Sequence, residues 1–187
     1  MNLPNALTLL RVLLIPILVI VWFVPISYSG ELAAIIFLIA AFTDWLDGWL
    51  ARRLAQESEF GAFLDPVADK LIVATALILL VDAFDSVLVT LSAIVIVGRE
   101  IVVSALREWM SELGQRGQVA VSWIGKLKTA TQMIAIILCL ALPIQKIFMH
   151  PGIWVLVISA LLTLWSMGSY LKAAWPHLFS DSNRSNS

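Results

Sequence analysis

Residues 44–69, DWLDGWLARRLAQESEFGAFLDPVAD, hold four aspartates: Asp44, Asp47, Asp65 and Asp69. Asp44 and Asp47 are three residues apart, and Asp65 and Asp69 four apart, so each pair shares one face of a helix. A polar link, 53–59, lies between the pairs and carries the ordinary solvated acids Glu57 and Glu59. The simplest geometry is a helical hairpin that brings the two pairs face to face. The surrounding sequence is apolar enough to be membrane. Four carboxylates in such a setting stay ionised only where cations neutralise them. Hard oxygen donors converging from two helices suit Mg²⁺ or Mn²⁺.

The elements that must position these carboxylates follow from composition. The chain has 187 residues, is 60% hydrophobic and 13% charged, and its mean hydropathy is +0.94. A water-soluble domain carries about a quarter charged residues, so this is an integral membrane protein. The single cysteine, Cys139, excludes an intrachain disulfide. His150 and His177 are isolated, which leaves no histidine metal site, and no P-loop, GxGxxG or GxSxG is present.

Six apolar stretches approach the ~20 residues that cross hydrocarbon. The first runs over 12–26 with help from 6–10, and Pro16 is expected to kink it. The others lie at about 32–51, 61–81, 86–106, 123–142 and 153–170. The expected fold is all-α, with six transmembrane helices and a short amino-terminal interfacial segment at 2–11. One domain covers 1–176, and 177–187 reads as a disordered tail. The longest polar link is 107–117.

Charge placement orients the bundle. Arg11, Arg52, Arg53, Arg107, Arg116, Lys126, Lys128, Lys172 and Arg184 fall on one side, whereas Glu31, Asp82, Asp85 and Lys146 fall on the other. The positive-inside rule then puts both termini in the cytoplasm. Trp22, Trp109, Trp123, Trp154 and Trp175 lie near span ends, as an aromatic belt does. Asp44 and Asp69 each lie eight residues from the cytoplasmic end of their span, at ~12 Å depth for ~1.5 Å per residue. Arg99 reaches a similar level. Polar groups of several spans therefore converge on one shallow cavity that faces the cytoplasm.

Written out, the stretch is Asp44-x2-Asp47-Gly48-x2-Ala51-Arg52-x8-Gly61-x3-Asp65-x3-Asp69. It resembles the signature of the CDP-alcohol phosphatidyltransferases, with all eight fixed residues at the family spacing. That resemblance implies a six-helix membrane enzyme that moves a substituted phosphate from a CDP-linked donor to an alcohol and releases CMP. It implies divalent metal, two ions of Mg²⁺ or Mn²⁺, held by Asp44, Asp47, Asp65 and Asp69. The ions would neutralise the pyrophosphate and stabilise the leaving CMP. Asp69 is implied as the base that takes the acceptor's proton. A carboxylate of ordinary pKa is a weak base for an alcohol, so transfer must be late or the hydroxyl acidified. In-line attack should invert the lipid-bearing phosphorus. Gly48 and Ala51 lack bulk, which would let a nucleotide lie against the helix, although small residues also serve helix packing. Asp65-Pro66 also reads as a helix start with Asp65 as its cap.

Two further segments carry the resemblance. Asn5-x2-Thr8-x2-Arg11 is similar to the family's amino-terminal element by the nucleotide, and it also fits an interfacial cap with a snorkelling arginine. With Asp47, Gly48, Ala51, Arg52 and Gly61, Asn5 and Thr8 form the expected nucleotide site. GREIVVSALREW with the later Gly125-Lys126-x-Lys128-Thr129 supplies cations for an acceptor phosphate, namely Arg99, Arg107 and Lys126. Arg99 and Glu100 also fit a structural intramembrane pair, and Arg107, Arg116 and Lys128 fit plain positive-inside charges. The resemblance implies CDP-diacylglycerol as donor, sn-glycerol 3-phosphate as acceptor, surrounding membrane lipids, no nucleic acid, a homodimer and the bacterial inner membrane. Serine, inositol phosphate or phosphatidylglycerol are the rival acceptors. A proton or cation transporter is the rival class, but it needs polar residues through the full membrane depth, and 71–81 and 87–97 are almost wholly apolar. Prenyl synthases also pair aspartates with Mg²⁺, but with denser motifs and without multiple spans.

Overall fold

Backbone N–H and C=O groups among apolar side chains must pair within their own segment, and helices achieve this. The computed structural model describes residues 3–54, 59–112, 123–142 and 149–178. Among them are six helices: α1 Leu3–Phe23, α2 Ser29–Leu54, α3 Glu59–Phe84, α4 Val87–Glu112, α5 Trp123–Ala141 and α6 Pro151–Leu178. The helices α1, α4 and α6 are long and apolar enough to cross a membrane. At 26 residues each, α2 and α3 are about 39 Å long, against a hydrocarbon core of about 30 Å.

The helices pack as a closed ring in the order α1, α2, α5, α6, α4, α3 and back to α1. Its surface is inverted relative to a protein in water. Arg11, Arg99 and Lys128 are buried, while Ile78 and Trp165 stand 67% and 72% exposed. Apolar side chains facing outwards suit a lipid solvent.

The ring departs from the expected hairpin. Chain neighbours α2 and α3 touch only lightly, and α1 packs firmly against both. Two small polar faces gain little from direct contact, whereas α1 offers each a partner side chain. The residues expected as an interfacial segment belong to α1 itself, which runs unbroken from Leu3 and through Pro16. Thr8 and Arg11 are buried in the bundle rather than held at its surface.

Three expected boundaries also shift. Asp65 does not cap a helix, because α3 starts at Glu59 and continues through Pro66. At the other end of its own span, α4 runs on to Glu112, past the expected start of the polar link. Its extension stays helical because Val103, Leu106 and Met110, three and four apart, are buried with Trp109, Met167 and Leu171 against them. Finally, α6 includes His177 and Leu178, the first residues of the expected tail, and 179–187 lie outside the described residues. The five belt tryptophans all lie at or near helix ends.

At the end of the ring away from the aspartates, Asp85 links α3 to α4 with φ 41°, a left-handed conformation that Asp tolerates better than most residues. The main core lies towards this end. Leu18, Phe37, Leu80, Ile96, Ile136 and Leu156 are among its fully enclosed side chains.

Candidate active site

Thr8 and Arg11 lie three residues apart on one face of α1, so one helix face reaches both neighbours. The Arg11 guanidinium pairs with Asp44 on α2 at 3.1 Å. The Thr8 hydroxyl donates to a carboxylate oxygen of Asp65 on α3. Arg11 is wholly buried, whereas the Asp44 carboxylate is 44% exposed. A desolvated guanidinium needs a counter-charge, and the aspartate pairs provide it. Arg11 and Thr8 thus join α1 to α2 and α3 at the carboxylates.

Asp69 follows Asp65 by one turn of α3 and is partly buried. It feels the charges of Asp44 and Arg11, and also those of Glu100 and Lys70. It therefore stands between the aspartate cluster and a second polar region. That region is a cavity of ≈ 280 Å³ walled by α3, α4 and α5, with Asp69, Lys70, Arg99, Glu100, Arg107 and Gln132 among its lining residues. Pockets for drug-sized ligands begin at about 300 Å³, so this space suits a small polar molecule rather than a whole lipid.

The cavity wall is braced by a buried ion network. Lys128 on α5 and Arg99 on α4 both bond one oxygen of Glu100, at 2.5 and 3.1 Å. Arg99 also donates to the Ser166 hydroxyl at 3.4 Å, and that hydroxyl donates to the Thr163 carbonyl at 2.9 Å. Two cations share one carboxylate, which leaves a positive surplus beside the cavity. Such a surplus attracts phosphate.

The sequence-predicted residues thus divide. Thr8, Asp44, Asp65 and Asp69 come together around Arg11. Asn5 precedes Thr8 by one turn, and Gly61 is buried one turn before Asp65. Arg99 and Arg107 join Asp69 at the cavity. Asp47, Gly48, Ala51 and Arg52 lie on α2 and Lys126 on α5, with side chains outside the described residues. The Arg99–Glu100 pair is present, and Arg99 nevertheless lines the cavity, so the two readings of Arg99 coexist. Lys128, which also fits a positive-inside charge, is 1% exposed and paired with Glu100. Sequence reasoning did not find the bracing role of Arg11, the shared oxygen of Glu100, or Gln132. The helical spacing of Thr8 and Arg11 and the single amide in the apolar run of α5 were the available signals.

The donor set around α1 is all oxygen, from carboxylates and one hydroxyl, which is the chemistry a hard divalent ion takes. Among the described residues no three Asp, Glu, His or Cys side chains stand close enough together to hold an ion. The fourth aspartate side chain, Asp47, is not in that set.

Comparison with known proteins agrees with the motif. Residues 1–165 match the family model described as CDP-alcohol phosphatidyltransferase. A Pseudomonas fluorescens protein named CDP-diacylglycerol–glycerol-3-phosphate 3-phosphatidyltransferase is 54% identical over 187 residues, 98% of this chain and 95% of its own length. Proteins of the same name from Salmonella choleraesuis and Escherichia coli are 53% identical over 174 residues, 92% of this chain and 94% of theirs. With its motif, its helical ring and these relatives, the chain belongs to the CDP-alcohol phosphatidyltransferase family.

Proposed function

We propose that the protein transfers a phosphatidyl group from CDP-diacylglycerol to sn-glycerol 3-phosphate, giving phosphatidylglycerophosphate and CMP. The observation that carries this reading is the place of Asp69, between an oxygen-rich cluster on one side and a small cationic cavity on the other. The names of relatives 53–54% identical over nearly the whole chain support the same donor and acceptor.

In this reading the acceptor's phosphate lies against Arg99 and Arg107, with Lys126 on the same helix as Lys128. Its free primary hydroxyl then points at Asp69. Asp69 takes the hydroxyl proton as the oxygen attacks the lipid-bearing phosphorus. The phosphorus–oxygen bond to CMP breaks, and CMP leaves with that electron pair. Asn5, Thr8, Gly48, Ala51, Arg52 and Gly61 hold the nucleotide. A divalent cation held by Asp44, Asp47, Asp65 and Asp69 would neutralise the pyrophosphate and the departing phosphate. Arg11 and Thr8 keep α1 against Asp44 and Asp65, which fixes these carboxylates relative to each other. Hydrogen-bond donors and charges fixed in advance in this way cost no reorganisation during reaction.

Six crossings with both termini in the cytoplasm follow from the charge asymmetry, which puts the aspartate end at the cytoplasmic face of a bacterial inner membrane. A homodimer rests on the family resemblance alone, and sizing of the detergent-solubilised protein tests it.

CMP release by purified protein tests the function. CDP-diacylglycerol is supplied with glycerol 3-phosphate, serine, inositol phosphate or phosphatidylglycerol in separate reactions, each with Mg²⁺ or with chelator. Metal-dependent release with glycerol 3-phosphate alone is expected. Release with another acceptor overturns the assignment of the cationic cavity, and release that persists in chelator overturns the assignment of the aspartates.

A further inference from the structure

We propose that Gln132 reads the hydroxyl of the acceptor that does not react, and so selects a polyol phosphate over a simple hydroxyalkyl phosphate. The proposal rests on the acceptor reading above. Gln132 lies one turn beyond Lys128 on the same face of α5, and it lines the cavity that Asp69, Arg99 and Arg107 share. It is 3% exposed. Its side-chain oxygen is buried and, among the described residues, has no hydrogen-bond partner.

A buried amide oxygen without a donor is rare, because its desolvation goes uncompensated. In membrane helices a glutamine usually joins two helices by a hydrogen bond. Here no such bond uses this oxygen. One turn further along the same face, Ile136 is fully buried in the apolar core. Gln132 is thus the last polar group along this face of α5 before the apolar core.

The cations and Asp69 between them account for the acceptor's phosphate and its attacking hydroxyl. The cations only donate, and Asp69 is engaged by the hydroxyl that reacts. Glu100, Ser104 and Thr129 also line the cavity, but the Gln132 oxygen is the lining acceptor that is buried and meets no donor, and a secondary hydroxyl on the middle carbon is the donor it lacks. A site that hydrogen-bonds a substrate hydroxyl rejects the analogue without it, because its own buried group is then left unpaired.

The test compares glycerol 3-phosphate with 3-hydroxypropyl phosphate, which keeps the phosphate and the primary hydroxyl and lacks the middle one. The wild-type protein is expected to prefer glycerol 3-phosphate in kcat/KM by on the order of tenfold to a hundredfold. Gln132→Leu and Gln132→Met should remove most of that preference by lowering kcat/KM for glycerol 3-phosphate alone. Turnover of 3-hydroxypropyl phosphate and CDP-diacylglycerol binding should stay within about twofold. Equal losses with both acceptors would mean a structural role and overturn the proposal. A wild-type protein that uses both acceptors equally well overturns it without any variant. If the wild type uses neither, but releases CMP with serine or another alcohol, the acceptor reading itself has failed, and this proposal fails with it.

Discussion

Gly30 and Gly152 at one end of the ring, and Arg11, Arg99 and Lys128 at the other, mark two different ways of joining helices. A Cβ on Gly30 would stand 2.6 Å from the Leu140 carbonyl oxygen, and one on Gly152 would stand 2.7 Å from the Cys139 sulfur. There the α2 glycine lies against the α5 backbone and the α6 glycine against Cys139 of α5, so close packing joins the helices. At the aspartate end the helices meet through buried charges, Arg11 with Asp44 and Glu100 with two cations. Buried ion pairs are a poor source of stability, since desolvation offsets most of their attraction. Among the described residues they stand at the aspartate end, and the proposed function accounts for this, since there the groups that hold the helices are also those assigned to the substrates.

That contrast can be broken or sharpened by substitution. The largest effect is expected for Asp69→Asn, which removes the carboxylate proposed as the base. CMP release should fall on the order of a hundredfold to ten-thousandfold, with CDP-diacylglycerol binding still measurable by titration. Full activity would remove Asp69 from that role. Next is Arg11→Met, which takes the counter-charge from the half-exposed Asp44 and should destabilise the fold by about 2–4 kcal/mol, read by denaturation in detergent. A variant as stable as the parent would show that charge does not join the helices at this end. Smaller still is Gly152→Val, with a loss of about 1–3 kcal/mol from overpacking against Cys139. Its KM for glycerol 3-phosphate should be unchanged, because the glycine end takes no part in binding. The smallest effect belongs to Gly98→Ala. A Cβ there meets nothing within 4 Å, so a gain of about 0.5–1 kcal/mol from helix propensity is expected, seen as a slightly higher melting temperature with unaltered turnover.

The helices were legible because hydrocarbon demands long apolar runs, and the six stretches coincide with the six helices. Their ends were not. Hydrophobicity marks where lipid stops, whereas α4 continues to Glu112 because Met110 still finds Met167 and Leu171 to bury against. That Asp44, Asp65 and Asp69 would lie near one another was legible from type and spacing alone. The partners of Arg11 and Lys128 were hidden, since a basic residue near a span end reads the same whether it reaches water or a carboxylate on another helix. Only the order of helices around the ring distinguishes the two cases. Gln132 shows the same limit: an amide in an apolar run signals a buried hydrogen bond but not what makes it.

The pairing of Arg11 with Asp44 also bears on how the protein is made. Arg11 sits in α1, which is synthesised before α2, and its counter-charge belongs to α2. Until α2 has been synthesised and laid alongside, that guanidinium has no protein carboxylate to meet and must stay near the lipid headgroups. The amino-terminal helix therefore reaches its final depth only after its successors arrive. Insertion and assembly are, for this helix, a single late event.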